Sequence, residues 1–198
     1  MASQITHIVY GKKIFEKLSG KLNWKEFAIG TTFPDIRQIA KLERNLLHKF
    51  NTSLGRVPKN SFDAGVYIHS YLDEKRQSFL ERNGLDKILK GGIVSTSALK
   101  LVEDELLYDR IDNWREIGEF FNDFLDEELE LVSREAVIKW HKFLQIYFSK
   151  KPDEKIWRDL LVNASSYGNI ADEIIVSIGE IKKNKKAMNL LSQVDNIF

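Results

Sequence analysis

Two side chains four residues apart, His69 and Asp73, have the types and the spacing of a metal site. They lie in the stretch Ser61–Arg82, which is predicted to form one helix, with Ser61 as its N-cap and Cβ atoms of the pair roughly 5–6 Å apart on one face. An imidazole and a carboxylate at that separation suit one divalent cation. Gly65 lies one turn earlier on the same face, where the missing side chain lets another backbone or a ligand approach.

Three further residues could join this pair: His7, Asp35 and His48. His7 lies in a predicted first helix, where a buried core histidine is the structural alternative. Asp35 directly follows Pro34, so the choice is between a helix-capping aspartate and a carboxylate that a rigid turn points inward. His48 lies near the end of a predicted helix, where a cationic histidine that stabilises the C-terminus is the alternative.

A cluster of imidazoles and carboxylates predicts hydrolysis assisted by a metal ion. A bound cation lowers the pKa of a water from ~15.7 toward ~7 and offsets charge on a phosphoryl oxygen, and two ions about 3.5–4 Å apart can hold the attacking and leaving oxygens. An aspartate beside that water could take its proton. The chain contains no G-x-S-x-G, no Walker-type loop and no G-x-G-x-x-G, so neither a serine triad nor these nucleotide-binding loops are indicated.

Composition limits the other possibilities. The chain has 198 residues, 43% apolar and 30% charged, which is typical of a folded protein, and its length suits one domain over 1–198. Because the predicted elements are helices throughout, we expect this domain to be compact and all-α. We expect a ligand-bearing half at about 1–83 and a helical completion at about 84–198. The net charge of +1 does not indicate a nucleic-acid partner, and the absence of cysteine means that only His, Asp and Glu can bind a metal.

No apolar run is long enough to span a bilayer, and the first residues lack the pattern of a secretory signal. A cytoplasmic location is therefore expected. The sequence leaves the oligomeric state open.

Apolar spacing predicts helices throughout and no strand. Residues 30–36 are predicted to form a turn, with Phe33 extended because a proline follows it. The predicted helices are 4–18, 24–29, 36–50, 61–82, 85–89, 98–111, 113–124, 134–150, 152–162 and 168–198.

Several charged residues have two interpretations. Exposed charge is favoured over a substitute metal ligand for five acids near the middle of the chain, namely Glu103, Asp104, Glu105, Asp109 and Asp112. Arg37 and Arg76 are predicted to form salt bridges, with a phosphate contact as the alternative. His141, among apolar neighbours, could be a core histidine or a contact to the substrate phosphate. The acidic run 126–130 is predicted to be a solvated face or a connection, and the basic run 182–186 exposed charge.

The motifs taken together resemble those of the zinc-dependent phospholipase C family. The matching pieces occur in order as T-H-x-x-x-G at 6–11, G-x-x-x-P-D at 30–35, His48, and G-x-x-x-H-x-x-x-D at 65–73. The resemblance covers about the first 80 residues and implies an all-helical fold of the phospholipase C and P1 nuclease type. It further implies a first ion on Asp35, His48, His69 and Asp73, and a second ion on His7 and the shared Asp73. Asp35 and the bridging Asp73 are then the expected catalytic residues, with Asp35 as the candidate general base.

The later part of the chain departs from that family, because the further histidine and the H-x-x-x-E motif that supply its third metal site have no counterpart. A fainter resemblance is to the acyl-carrier-protein phosphodiesterases, although the adjacent His-Asp pair of their superfamily does not occur here. The expected function is hydrolysis of a small phosphoester, chiefly a phosphodiester, with one or two zinc ions, or manganese or iron in their place. The alternative is a catalytically decayed relative that acts as a binding or interaction module.

Overall fold

Throughout the described residues all regular structure is helical, as the sequence predicts. The computed structural model describes residues 3–18, 20–89, 92–163 and 167–198. In chain order the α-helices are α1 (Gln4–Phe15), α2 (Trp24–Thr32), α3 (Arg37–Ala40), α4 (Arg44–Leu47), α5 (Ser61–Arg82), α6 (Leu85–Ile88), α7 (Ile93–Leu107), α8 (Trp114–Glu119), α9 (Asp126–Leu131), α10 (Arg134–Phe148), α11 (Glu154–Asn163), α12 (Ala171–Lys183) and α13 (Lys185–Val194). Short 3-10 segments lie at Phe33–Ile36, Leu54–Arg56, Tyr108–Arg110, Phe120–Asn122, Gly168–Ile170 and Asp195–Ile197.

Helices α2 and α5 pack with their backbones in direct contact at two glycines. A Cβ atom on Gly30 would lie 2.2 Å from the carbonyl oxygen of Phe62, and one on Gly65 would lie 2.2 Å from that of Phe27. Any larger residue would force the helices apart, because the interior has no free volume to absorb it. The prediction that Gly65 admits a second backbone is confirmed.

The start of α1 is held by Asp104 on α7. One carboxylate oxygen accepts hydrogen bonds from the backbone N–H of Thr6 (2.8 Å) and from its hydroxyl (2.7 Å), and the other accepts from the N–H of Ile5 (3.2 Å) and the hydroxyl of Tyr147 (2.8 Å). These N–H groups belong to the first turn, where a helix lacks internal acceptors and favours a negative charge. Asp104 is buried, so the expectation of exposed charge is wrong for this residue.

Its neighbour Glu103 is also buried rather than exposed, and it pairs with Arg76 of α5. The guanidinium Nε donates to the carboxylate at 2.5 Å, with both side chains 2% exposed. The predicted salt bridge of Arg76 is therefore confirmed. Because an ion pair buried this deeply tolerates little displacement, it fixes α5 against α7.

The C-terminal helices complete the core. Helix α12 packs on α7 and turns Ile174, Ile178 and Ile181 inward, while α13 contacts α5. Ser133 caps α10 as predicted, since its hydroxyl accepts from the N–H of Ala136. None of the described helices is both long enough and apolar enough to cross a membrane.

Some predicted helix boundaries are wrong. The helix predicted at 36–50 is interrupted, because Lys41 adopts a left-handed conformation (φ 55°) that separates α3 from α4. The turn predicted at 30–36 is instead the end of α2 followed by a 3-10 segment, and Phe33 is helical (φ −59°, ψ −41°). The first helix ends at Phe15, before the predicted residue 18, and α7 begins at Ile93, ahead of the predicted start.

Other differences concern helix caps and breaks. Asn60, and not Ser61, caps α5, because its side chain accepts from the N–H of Asp63. The last helix predicted at 168–198 is two helices, since Asn184 is extended and caps α13 with its own side chain. The acidic run 126–130 forms most of α9 rather than a connection, and Glu128 within it is buried.

Candidate metal centre

The five side chains predicted as metal ligands meet in one buried cluster. His7, Asp35 and His69 form one set whose potential ligand atoms all lie within 4.8 Å of one another, and His48, His69 and Asp73 form a second. All five residues are buried, with Asp35 the most exposed at 9%. Residues as far apart in the chain as 7 and 73 thus converge on one point, with His69 common to both sets.

Helix α5 supplies His69, whose ring is oriented by α2. The Nδ1 atom lies 2.8 Å from the carbonyl oxygen of Thr31, which can only accept, so Nδ1 carries the proton. The Nε2 atom of His69 is then the acceptor, and it lies 3.1 Å from the Nε2 atom of His48. A backbone carbonyl bound to the opposite ring nitrogen is the usual way in which proteins orient a histidine ligand.

His7 lies against His69 with the rings nearly parallel, centroids 3.8 Å apart and planes 14° from each other. Its Nε2 atom is 3.5 Å from Oδ1 of Asp73. Among the described residues neither ring nitrogen has a hydrogen-bond partner, although the side chain is fully buried. An unsatisfied buried imidazole is costly, and a bound cation is one of the partners that would satisfy it.

Asp73 lies between the histidines. Its Oδ2 atom is 3.8 Å from Nε2 of both His48 and His69, and it accepts a hydrogen bond from Nη2 of Arg44 at 2.9 Å. Arg44 was not among the residues predicted from the sequence. Its spacing of four residues from His48, on the predicted helix 36–50, was the available signal.

Asp35 comes from the 3-10 segment Phe33–Ile36, in whose first turn Pro34 directly precedes it. Its Oδ2 atom accepts a hydrogen bond from the side-chain amide of Gln4 at 2.8 Å. Of the two interpretations of Asp35, the inward-pointing carboxylate is the one that the structure shows. Gln4 is on the first turn of α1, so the helix that carries His7 also orients Asp35.

His48 is extended (φ −95°, ψ 141°) and directly follows α4, in a part of the chain that has little regular structure. This segment is joined to α5 through side chains. The N–H of Lys49 donates to the hydroxyl of Ser70 at 2.9 Å, and Glu74 accepts from the N–H groups of Asn51 and Thr52. These bonds hold His48 above the helix that carries His69.

Burial keeps His7 and His48 neutral. Desolvation, reinforced by the neighbouring His69, lowers the pKa of His48 to about 4. The same two causes lower the pKa of His7 well below its ordinary value. The alternative of a cationic His48 at a helix terminus is therefore wrong, and both rings offer lone pairs at neutral pH.

A lysine that the sequence analysis missed also belongs to this environment. Lys100 of α7 is partly buried, which lowers its pKa, while the carboxylates of Asp35 and Asp73 act in the opposite direction. Its ammonium group thus lies within electrostatic reach of the cluster.

The donor set fits a divalent cation. Tetrahedral zinc with Zn–N bonds of about 2.0–2.1 Å places two nitrogen ligands about 3.3 Å apart, close to the separation of the His48 and His69 Nε2 atoms. Neutral imidazoles with carboxylates also suit manganese and iron. Buried His and Asp groups in this protein could therefore hold a metal ion.

His141 contacts residues other than the five candidate ligands. Its Nε2 atom is 2.8 Å from Glu128 and its Nδ1 atom 3.2 Å from the carbonyl oxygen of Phe121, and the side chain is buried. Both ring nitrogens are therefore engaged by protein groups, as in the core alternative. A role in substrate binding stays a prediction.

Comparisons of the chain with protein families, with curated proteins and with solved structures gave no match.

Proposed function

We propose that the protein is a metal-dependent phosphoester hydrolase, with a phosphodiester as the expected substrate. The observation that carries the proposal is the pair of Nε2 atoms of His48 and His69, which face each other at 3.1 Å beside the buried carboxylate of Asp73. The unpartnered ring of His7 supports it, because a fold without a ligand there would leave a buried polar group unsatisfied.

The residues would divide the work as follows. His48, His69 and Asp73 would hold a cation, which when bound supplies a Lewis acid for a phosphoryl oxygen and a more acidic water. Since Thr31 engages Nδ1 of His69, this ring can serve only one ion. A second ion would then rest on His7 and share Asp73.

Asp35 is the candidate general base. Its carboxylate is within reach of the cluster but is oriented by the amide of Gln4. A hydrogen bond from a neutral amide leaves the remaining lone pairs of the carboxylate able to accept a proton from water.

The test is metal content together with hydrolysis of bis(p-nitrophenyl) phosphate after addition of zinc, manganese or iron. We expect one or two ions per chain and activity in the wild type, and loss of both in His69→Ala. Ile174→Ala is the matched control, because it also removes a fully buried side chain but lies on α12, which carries none of the candidate ligands. A wild type that binds no metal and stays inert with every ion would overturn the proposal and support the interaction module.

A further inference from the structure

Arg44 places a half-exposed guanidinium on the most buried carboxylate of the candidate metal centre. Its side chain is 43% exposed, whereas that of Asp73 is 2% exposed, and the two are joined by the 2.9 Å contact between Nη2 and Oδ2. The guanidinium therefore reaches Asp73 from the solvent side. Arg44 is thus the side chain that an incoming ligand would meet before Asp73.

The oxygen that Arg44 contacts is also the oxygen that faces the histidines. Oδ2 of Asp73 lies 3.8 Å from the Nε2 atoms of both His48 and His69. A cation held by these rings would use the same carboxylate, and two positive charges a few ångströms apart repel each other. The guanidinium and a metal ion therefore compete for Asp73.

A guanidinium displaced from its carboxylate needs another anion. The planar fork of arginine matches the oxygens of a phosphoryl group and binds them through two parallel N–H···O bonds. Arg44 has room to turn, because its side chain is 43% exposed and lies at the start of the single-turn helix α4. A phosphoryl group that enters from solvent would therefore contact the guanidinium of Arg44.

We propose that Arg44 is an internal counter-ion that exchanges partners: without metal it neutralises Asp73, and with metal bound it holds the phosphoryl oxygens of the substrate. The inference rests on the proposed function, because it requires a cation in the cluster. It assigns to this side of the site a binding position for a phosphoryl anion.

The experiment compares Arg44→Ala with Lys49→Ala, which removes the same charge from the same segment at an exposed side chain five residues away. Zinc affinity of the metal-free proteins is measured by calorimetry. We expect Arg44→Ala to bind zinc several-fold more tightly than the wild type, and Lys49→Ala to match the wild type. Circular dichroism checks that both variants are folded.

The second measurement is the affinity of the zinc-loaded proteins for inorganic phosphate. We expect about a tenfold loss in Arg44→Ala, the effect of removing one charge-assisted contact, a partial loss in Arg44→Lys, and no change in Lys49→Ala. Weaker zinc binding in Arg44→Ala, or unchanged phosphate affinity, would overturn the inference.

The two proposals fail in different ways. A wild type that binds zinc and hydrolyses phosphoesters, with phosphate affinity unaffected by Arg44→Ala, contradicts only the role of Arg44. A wild type that binds no metal contradicts the proposed function and removes the basis of this inference with it.

Discussion

His69 donates its Nδ1 proton to the carbonyl oxygen of Thr31 across 2.8 Å, between two helices that touch through their backbones. This one bond selects the tautomer that points a lone pair at His48. It exists because Gly30 and Gly65 let α2 and α5 approach closely enough for a carbonyl of one helix to reach a side chain of the other.

The first prediction concerns that approach. Gly65→Ala places a Cβ atom 2.2 Å from the carbonyl oxygen of Phe27 and 2.7 Å from the N–H nitrogen of Thr31, both backbone atoms. We expect a loss of about 3 kcal/mol or more in the free energy of unfolding, the upper part of the range for overpacking. Zinc affinity should fall as well, because Thr31 moves away from His69. Urea denaturation and calorimetry measure the two effects.

Gly179→Ala is the control for this substitution. Gly179 lies inside α12 with nothing within 4 Å of the position of a Cβ atom. Alanine there should stabilise the protein by about 0.5–1 kcal/mol, since it has the better helix propensity. Equal stability changes in the two variants would show that close helix packing at Gly65 is unimportant.

His69 and Asp73 could be predicted because their signal is local. The i,i+4 spacing of His69 and Asp73 on one helix, with Gly65 a turn before them, is readable from the sequence, and the structure confirms this helix with its predicted bounds. The convergence of His7, Asp35 and His48 on that pair was predicted by residue type and order, and it is a feature of tertiary packing that periodicity alone does not fix.

A second prediction concerns metal and stability. A ligand that binds only the folded state stabilises it by RT ln(1 + [L]/Kd), which is about 2.7 kcal/mol when the ligand is at 100 times its Kd. Zinc should therefore raise the melting temperature of the EDTA-treated wild type. Zinc should leave the melting temperature of Asp73→Ala unchanged, because that variant lacks the carboxylate between the histidines. A melting temperature that is insensitive to zinc in the wild type would contradict the metal centre.

The third prediction is a pH dependence in the metal-free protein. Burial lowers the pKa of His48 to about 4 in the folded state, against about 6.5 in an unfolded chain. Between pH 6.5 and pH 4 the unfolded state therefore binds a proton at His48 that the folded state does not bind. The free energy of unfolding is therefore highest above pH 6.5 and decreases as the pH falls to about 4. At about 1.4 kcal/mol per pH unit, His48 accounts for a decrease of about 3 kcal/mol in the free energy of unfolding over this range.

Urea denaturation of the wild type and of His48→Gln between pH 7 and pH 4 measures this contribution. The difference between the two proteins isolates His48, since all other titrating groups are present in both. We expect the wild type to lose more stability than the variant over that range. Parallel curves would mean that His48 titrates normally in the folded protein.

The fourth prediction tests the anchor of α1. Asp104→Asn replaces a carboxylate that accepts hydrogen bonds from Ile5, Thr6 and Tyr147, and the new amide presents a donor to groups that are themselves donors. We expect a loss of about 2–4 kcal/mol, together with weaker zinc binding, because His7 follows Thr6 directly. Tyr147→Phe removes only one of the donors to Asp104 and should cost about 1 kcal/mol. Similar losses of stability in Asp104→Asn and Tyr147→Phe would contradict the role of Asp104 as the anchor of α1.

The acids at Glu103 and Asp104 show what the sequence could not reveal. Adjacent carboxylates in a charged stretch favour exposure, and nothing nearby in the chain indicates that Arg76 and Thr6 will face them. Their partners lie 27 and 98 residues away, so only the packing of α7 against α5 and α1 shows why they are buried. The breaks at Lys41 and Asn184 escaped prediction for a related reason, since apolar spacing continues across both.

The way in which His48 is held differs from that of the other two histidines. His7 and His69 lie within helices, whereas His48 lies in a segment held to α5 by a few hydrogen bonds, which its backbone N–H groups donate to Ser70 and Glu74. Breaking those few bonds would withdraw one donor nitrogen while the helical core stays intact. The rate at which a cation leaves the protein would then follow the local opening of this segment. Glu74→Ala would therefore shorten the residence time of the ion while changing the global free energy of unfolding little.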